Sequence, residues 1–141
     1  MMSFLFIGLV GCDRAPQSTT GTSEQTPQQL SISDNSQNAL DWPGVYTGVI
    51  PCASCEGIKL SLQLNSDNSY RLTQIYLGKD DQPQRQAGRF KWNSQGSQIT
   101  LDAASQSMQF QVGENQLFML DIEGNRISGE LAANYRLTKV Q

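Results

Sequence analysis

From residue 41 onward the hydrophobic positions of this chain recur every second residue. Ile58, Leu60, Leu62 and Leu64 alternate with Lys59, Ser61 and Gln63; Phe90 and Trp92 alternate with Arg89 and Lys91; Met108, Phe110 and Val112 alternate with Gln109 and Gln111. A period of two turns one face of an extended chain inward and the other toward water, which is the signature of half-buried strands. Between these stretches lie Asn65-Ser66-Asp67-Asn68, Asn93-Ser94-Gln95-Gly96, Gly113-Glu114-Asn115 and Glu123-Gly124-Asn125. Such residues tolerate a left-handed backbone or hydrogen-bond their own main chain, so they predict hairpin turns. The pattern predicts eight short strands, over 45–50, 58–64, 70–77, 88–92, 98–101, 108–112, 117–122 and 135–139. That spacing belongs to an all-β barrel or sandwich, and a small antiparallel meander β-barrel is expected because closure removes the exposed edges that an open sheet would have to defend. The run Leu117-Phe118-Met119-Leu120 breaks the alternation, which predicts a strand covered on both faces, with the connection around Leu131-Ala132-Ala133 as the cover.

The first forty residues follow a different rule. Phe4-Leu5-Phe6-Ile7-Gly8-Leu9-Val10-Gly11 is apolar but much shorter than the roughly 20 residues of a membrane span, so 1–11 is expected to be a signal peptide. It closes on Leu9-Val10-Gly11-Cys12, which resembles the lipobox of bacterial lipoproteins, and Cys12 is expected to be the lipidated residue. A lipoprotein cysteine carries several acyl chains, enough for stable anchoring where a single chain is marginal. Asp13 directly after it resembles an inner-membrane retention signal of enteric bacteria. From 13 to about 38 the chain is mostly Ser, Thr, Gln and Asn, with too little apolar surface to offset the entropy of ordering, and 12–40 is expected to be a disordered tether. Its root-mean-square reach is roughly 30 Å.

Composition bears on partners and chemistry. The net charge is −3, and the basic residues are scattered along the chain without the clustered run that nucleic acid demands, so no nucleic-acid partner is expected. There is no His for general base work and no nucleophile elbow, so the chain is not expected to be an enzyme. Asp80-Asp81 sits in Gly78-Lys79-Asp80-Asp81-Gln82-Pro83, whose composition marks an exposed turn. Tyr46, Tyr70, Phe90, Trp92 and Phe110 would line either a ligand cavity or a filled interior, and a barrel of about eight strands is often filled by its own side chains.

With Cys12 lipidated, Cys52 and Cys55 can pair with each other, with a metal or with another chain. Four roles are open to them. They form a static disulfide, a catalytic disulfide, a metal site, or a sensing loop read by a partner. Catalytic exchange wants a helix N-terminus at the first thiol, whereas Glu56-Gly57 and the 58–64 strand follow here. Structural zinc wants four ligands from a chain that has no His, while Cu(I) is selected by soft thiolates and can be held by Cys52 and Cys55 once reduced. Met108 and Met119, in apolar strand positions, are expected to pack in the core.

The string Trp42-Pro43-Gly44-Val45-Tyr46-Thr47-Gly48-Val49-Ile50-Pro51-Cys52-Ala53-Ser54-Cys55-Glu56-Gly57-Ile58 resembles the start of the N-terminal domain of the NlpE family, the copper resistance lipoproteins. Leu64-Asn65-Ser66-Asp67-Asn68-Ser69-Tyr70, Gly88-Arg89-Phe90-Lys91-Trp92, Val112-Gly113-Glu114-Asn115-Gln116-Leu117 and Leu131-Ala132-Ala133-Asn134-Tyr135-Arg136-Leu137 are similar to that family as well. The resemblance covers 41–139 and implies a lipocalin-like barrel over 41–141, lipid-anchored in the envelope and facing the periplasm, at the outer membrane rather than the inner despite Asp13. It implies a role in copper tolerance and envelope stress sensing, with the membrane and an envelope stress sensor protein as partners. It carries over Cys12 as the lipid attachment point and Cys52 and Cys55 as a disulfide or candidate Cu(I) site. No cofactor is required by it, and copper is the metal to test. A lipocalin-like carrier of a small apolar ligand is the alternative from a different class.

Overall fold

The computed structural model describes residues 34–141; the expected signal peptide, Cys12 and most of the expected tether lie outside them. Eight antiparallel strands, β1 (Gly44–Ile50), β2 (Gly57–Leu64), β3 (Ser69–Leu77), β4 (Gln84–Trp92), β5 (Gln98–Leu101), β6 (Gln109–Gly113), β7 (Gln116–Met119) and β8 (Arg136–Lys139), pair each with the next. β8 returns to β1 through Tyr46↔Lys139 and Thr47↔Thr138, which closes the barrel. The seam is tight at Gly48, where an added Cβ would stand 2.6 Å from the Arg136 carbonyl oxygen and 2.8 Å from Leu137 Cδ2. Only a residue without a side chain lets the first and last strands approach there.

The alternation read from the sequence is the inside-outside alternation of the barrel. Leu60, Leu62, Leu64, Tyr70, Leu72, Phe90, Ile99, Phe110, Val112, Leu117 and Leu137 point inward and form one buried cluster. Tyr46, Tyr70 and Phe110 are the largest fully buried side chains, so the inward aromatics fill the interior. Met108 and Met119 pack against this cluster, as expected of them.

Three differences from the sequence pattern have physical causes. β4 starts at Gln84 instead of 88, because the inward positions at that end are polar: Gln86 Oε1 accepts from the Ser105 hydroxyl at 3.1 Å, and Gln74, on the neighbouring strand opposite Gln84, is buried. Apolar alternation cannot report a strand whose inward positions are satisfied by hydrogen bonds. β7 ends at Met119, after which Leu120 bridges Arg126 across the Asp121–Asn125 turn. Its outward Phe118 is covered by the Arg126 guanidinium, 3.8 Å from the ring centroid, and shares a depression with Ala132 and Ala133 of the expected connection.

The third difference lies before β1. A single helical turn, α1 (Ser36–Ala39), occupies part of the expected tether and belongs to the same folded unit as the barrel. Asn35 and Asn38 cap it reciprocally, each side chain accepting from the other's main-chain N–H. The turn is held because Ser36 Oγ donates to the Val112 carbonyl at 2.7 Å and the Gln37 N–H to the Gly96 carbonyl at 2.9 Å. Just beyond it Trp42 is buried against Phe90 and Trp92, with ring centroids 5.8 and 5.4 Å away in edge-on geometry. Its Nε1 donates to the Gln37 carbonyl at 3.0 Å, and its own carbonyl accepts from the buried Tyr46 hydroxyl at 2.7 Å. The segment 34–42 is therefore a plug over one end of the barrel.

Candidate functional site

In an up-and-down barrel alternate connections emerge at the same end. The β1–β2, β3–β4, β5–β6 and β7–β8 connections share the end opposite to the Trp42 plug, and the first of them, 51–56, carries the two thiols. Cys52 and Cys55 are joined in a disulfide, three positions apart with Cα atoms 5.3 Å from each other. No helical turn intervenes before β2, so neither sulfur has a helix dipole behind it.

The loop is held from its C-terminal side. Glu56 N–H donates to the Leu77 carbonyl at 3.1 Å, continuing the β2–β3 ladder by one residue, and the Glu56 side chain lies directly over Gly78, in the space a Cβ would take. Gly78 has φ +73°, a left-handed conformation in which a side chain would also be strained, so two independent reasons place glycine there. Ala53 and Ser54 project from the loop and are exposed, while Cys52 and Cys55 are half-buried. Cys55 Sγ lies 3.3 Å from the Gly57 carbonyl oxygen, an acceptor already in place for the thiol proton after reduction.

Beside the disulfide is a hollow of about 390 Å³ lined by Val49, Ile50, Pro51, Cys52, Glu56, Leu131 and Asn134. Val49 and Leu131 are 50% and 54% exposed, so the wall next to Cys52 is apolar surface left in water. Cross-linking so short a loop constrains little of the unfolded chain, roughly 2 kcal/mol in the loop-entropy picture. Burying Trp42 alone is worth more than that. The disulfide thus shapes a surface more than it holds the barrel together.

The remaining residues singled out by the sequence do not join this loop. Met108 and Met119 share a different hollow, with Gln106, Gln109 and Asp121. Asp80 and Asp81 are exposed in the turn after β3, where Asp81 Oδ1 accepts from the Gly78 N–H at 3.2 Å. Among the described residues no three His, Cys, Asp or Glu side chains come together as metal ligands.

A polar cluster was not visible in the sequence. Tyr70 Oη lies 2.6 Å from Asp102 Oδ1, to which it donates, and 2.7 Å from the buried Ser105 hydroxyl. Asp102 also accepts from the Arg89 and Ala104 N–H groups at 3.0 and 3.2 Å. The Tyr70 hydroxyl, with the two N–H donors behind it, holds the Asp102 carboxyl below the usual carboxylate range; burial, reinforced by Asp102, raises the Tyr70 phenol. This cluster fastens the short 3-10 turn Ala103–Ser105 to β3 and β4 and has no imidazole to serve it as a base. Asx caps have a recognisable residue type, but partners more than thirty positions away leave no local signal.

These features can be set beside known proteins. The family described as the NlpE N-terminal domain matches residues 46–130. Lipoprotein NlpE of Escherichia coli K12 is 34% identical over 100 residues, which are 70% of this chain and 42% of that protein. Among solved structures, that of a candidate lipoprotein from Shewanella oneidensis is 59% identical with a TM-score of 0.72, covering 77% of this chain and 97% of that one. The structure of the Cpx pathway activator NlpE from Escherichia coli is 31% identical with a TM-score of 0.54, covering 62% of this chain and 46% of that one. The chain therefore spans less than half the length of the Escherichia coli relative. With the closed eight-stranded barrel and the Cys52–Cys55 pair in their places, the chain belongs to the NlpE family, through that family's N-terminal domain.

Proposed function

We propose that this protein is an envelope lipoprotein, anchored through Cys12 and facing the periplasm, whose barrel displays the Cys52–Cys55 loop as a redox-responsive or copper-responsive element in envelope stress sensing. One observation carries the reading: the disulfide closes an exposed loop beside the uncovered apolar side chains of Val49 and Leu131, so a change in its state alters a surface that a partner can feel. The name of the Escherichia coli relative, a Cpx pathway activator, supports an envelope stress sensor as that partner. Outer-membrane placement, copper tolerance and the acyl anchor belong to the same proposal, and so does a non-enzymatic role.

Copper enters only after reduction, since joined sulfurs offer no thiolate. Two electrons and two protons from a thiol reductant would give two thiols, and Cu(I) binding would release those protons. Cys52 and Cys55 then fit a two-coordinate soft ion, with no third ligand required from the barrel. The filled interior weighs against carriage of an apolar ligand.

Alkylation trapping of envelope extracts, with and without copper, tests the proposal. A measurable fraction of chains with both thiols modified, changing with copper or reductant, is the expected result. A pair that stays oxidised under every condition would sink the sensing and copper readings and leave a static staple.

A further inference from the structure

The basic residues that are scattered along the sequence are gathered by the fold. Lys59 on β2, Arg71 on β3, and Arg85, Arg89 and Lys91 on β4 all point outward and are exposed, and they are half of the ten Lys and Arg in the chain. No Asp or Glu lies within these three neighbouring strands, although the chain as a whole carries a net charge of −3. The strand spacing makes the face about 10 Å wide, and from the row of Lys59 to that of Lys91 it runs roughly 27 Å. Arg89 is partly engaged at the edge, donating to the Asp67 carbonyl at 2.8 Å.

Arg71 and Arg85 form its centre. Arg71 stands opposite Ala87 and Arg85 opposite Thr73, so the two guanidiniums are diagonal neighbours on adjacent strands, roughly 7 Å apart at Cβ. Among the described residues neither has a carboxylate within ion-pair distance nor a side-chain hydrogen bond. Two like charges at this spacing repel, so their pairing does not stabilise the sheet. Both line a groove of about 510 Å³ whose other walls include Ser61, Gln63 and Thr73, all able to donate to oxygen. Paired guanidinium forks with flanking hydroxyls are complementary to phosphate oxygens.

We propose that the outer face of β2–β4 is a docking surface for a bilayer that carries anionic phospholipid headgroups, with phosphate oxygens seated between Arg71 and Arg85. An acyl anchor at Cys12 would hold the chain at a membrane without choosing which side of the barrel meets it, whereas this face turns a defined side to the lipid. The proposal builds on the anchored state proposed above, but the contact itself needs no acyl chain, so the test uses unlipidated protein and its failure leaves the anchor and the redox loop untouched.

The full chain, made without lipidation, is co-sedimented with vesicles of equal parts phosphatidylcholine and phosphatidylglycerol, and with vesicles of phosphatidylcholine alone. Each surface cation strengthens binding roughly fivefold, so Arg71→Ser with Arg85→Ser should lower partition into the anionic vesicles by roughly 25-fold. Partition into the neutral vesicles, set by the apolar N-terminal run common to both proteins, should not change. Arg136→Ser, an exposed cation on β8 outside the face, should leave anionic partition near the unsubstituted value. Equal partition of the double variant and the unsubstituted chain would overturn the proposal, as would an equal loss from Arg136→Ser. Free phosphate offers the same oxygens as a headgroup and should displace the protein better than chloride at matched ionic strength; saturable binding of inorganic phosphate without vesicles, together with no partition into the anionic vesicles, would replace a membrane face with a pocket for a free anion. An unchanged thermal midpoint of the double variant establishes that any loss is not unfolding.

Discussion

Two buried phenols show how a single hydroxyl ties stability to pH in opposite directions. Asp102 is held below its usual 3.8 chiefly by the Tyr70 hydroxyl, so its ionised form is favoured in the fold. The resulting stability is present above 3.8 and is lost as pH falls through the lowered folded value. Tyr70→Phe should therefore lower stability at neutral pH and flatten the acid limb, read as urea midpoints over a pH series. Asp67, lowered mainly by the Ser69 hydroxyl, adds to the same limb and should persist in that variant. Tyr46 behaves in reverse: burial, with Asp41 nearby, pushes its phenol up to about 12 from 10.0. Its protonated form is the native one, so that contribution is complete below 10 and disappears as pH rises toward 12. Ultraviolet titration of phenolate should show this tyrosine ionising together with unfolding. Tyr46 and Tyr70 were legible as inward positions from their aromatic character, whereas the hydroxyl partner of Tyr70 was not, because Asp102 Oδ1 lies 32 positions away and meets it only once β3, β4 and the turn after β5 are packed together.

At the scale of elements the plug and the seam carry predictions of different kinds. Trp42→Ala removes the side chain that packs on Phe90 and Trp92, and a cost of about 3–5 kcal/mol is expected in denaturant unfolding. Gly48→Ala forces a Cβ against the Arg136 carbonyl where β1 meets β8, for about 1–3 kcal/mol, and should speed amide exchange in β8 first. Cys52→Ser with Cys55→Ser should cost no more than roughly 2 kcal/mol and leave the strand spectrum intact. A loss as large as that from Trp42→Ala would make the disulfide a main support of the fold and weaken its reading as a sensor. The strands with leucines or aromatics on one face were legible to within a residue or two, except that β7 ends three residues before its apolar run predicted, where the Asp121–Asn125 turn begins. The first half of β4 was not, since Gln84, Gln86 and Gly88 occupy its inward positions. Nor was α1, whose Ser, Gln and Asn residues have the composition of a tether and are ordered by two hydrogen bonds to distant carbonyls.

For the whole molecule, alternation, turn residues and spacing were enough to determine an all-β fold of about eight short antiparallel strands, because each is a local demand of the backbone, and the cost of free edges favoured a barrel over a sandwich; the pairing of β8 with β1 that closes it is decided by tertiary structure. The Cys-x-x-Cys spacing likewise determined which residues would form the candidate loop, and the absence of His limited its chemistry. Tertiary structure alone decided what surrounds that loop: Val49 and Leu131, some eighty residues apart in sequence, form one apolar wall beside Cys52 because β1 and the β7–β8 connection meet at the same barrel end. It also decided that five separated cations form one face, since registry between β2, β3 and β4 sets which outward side chains are neighbours. Sequence determines what is inside because burial acts on each residue by its own chemistry. Proximity on the outside depends on pairing between distant strands, and no single stretch of chain encodes it.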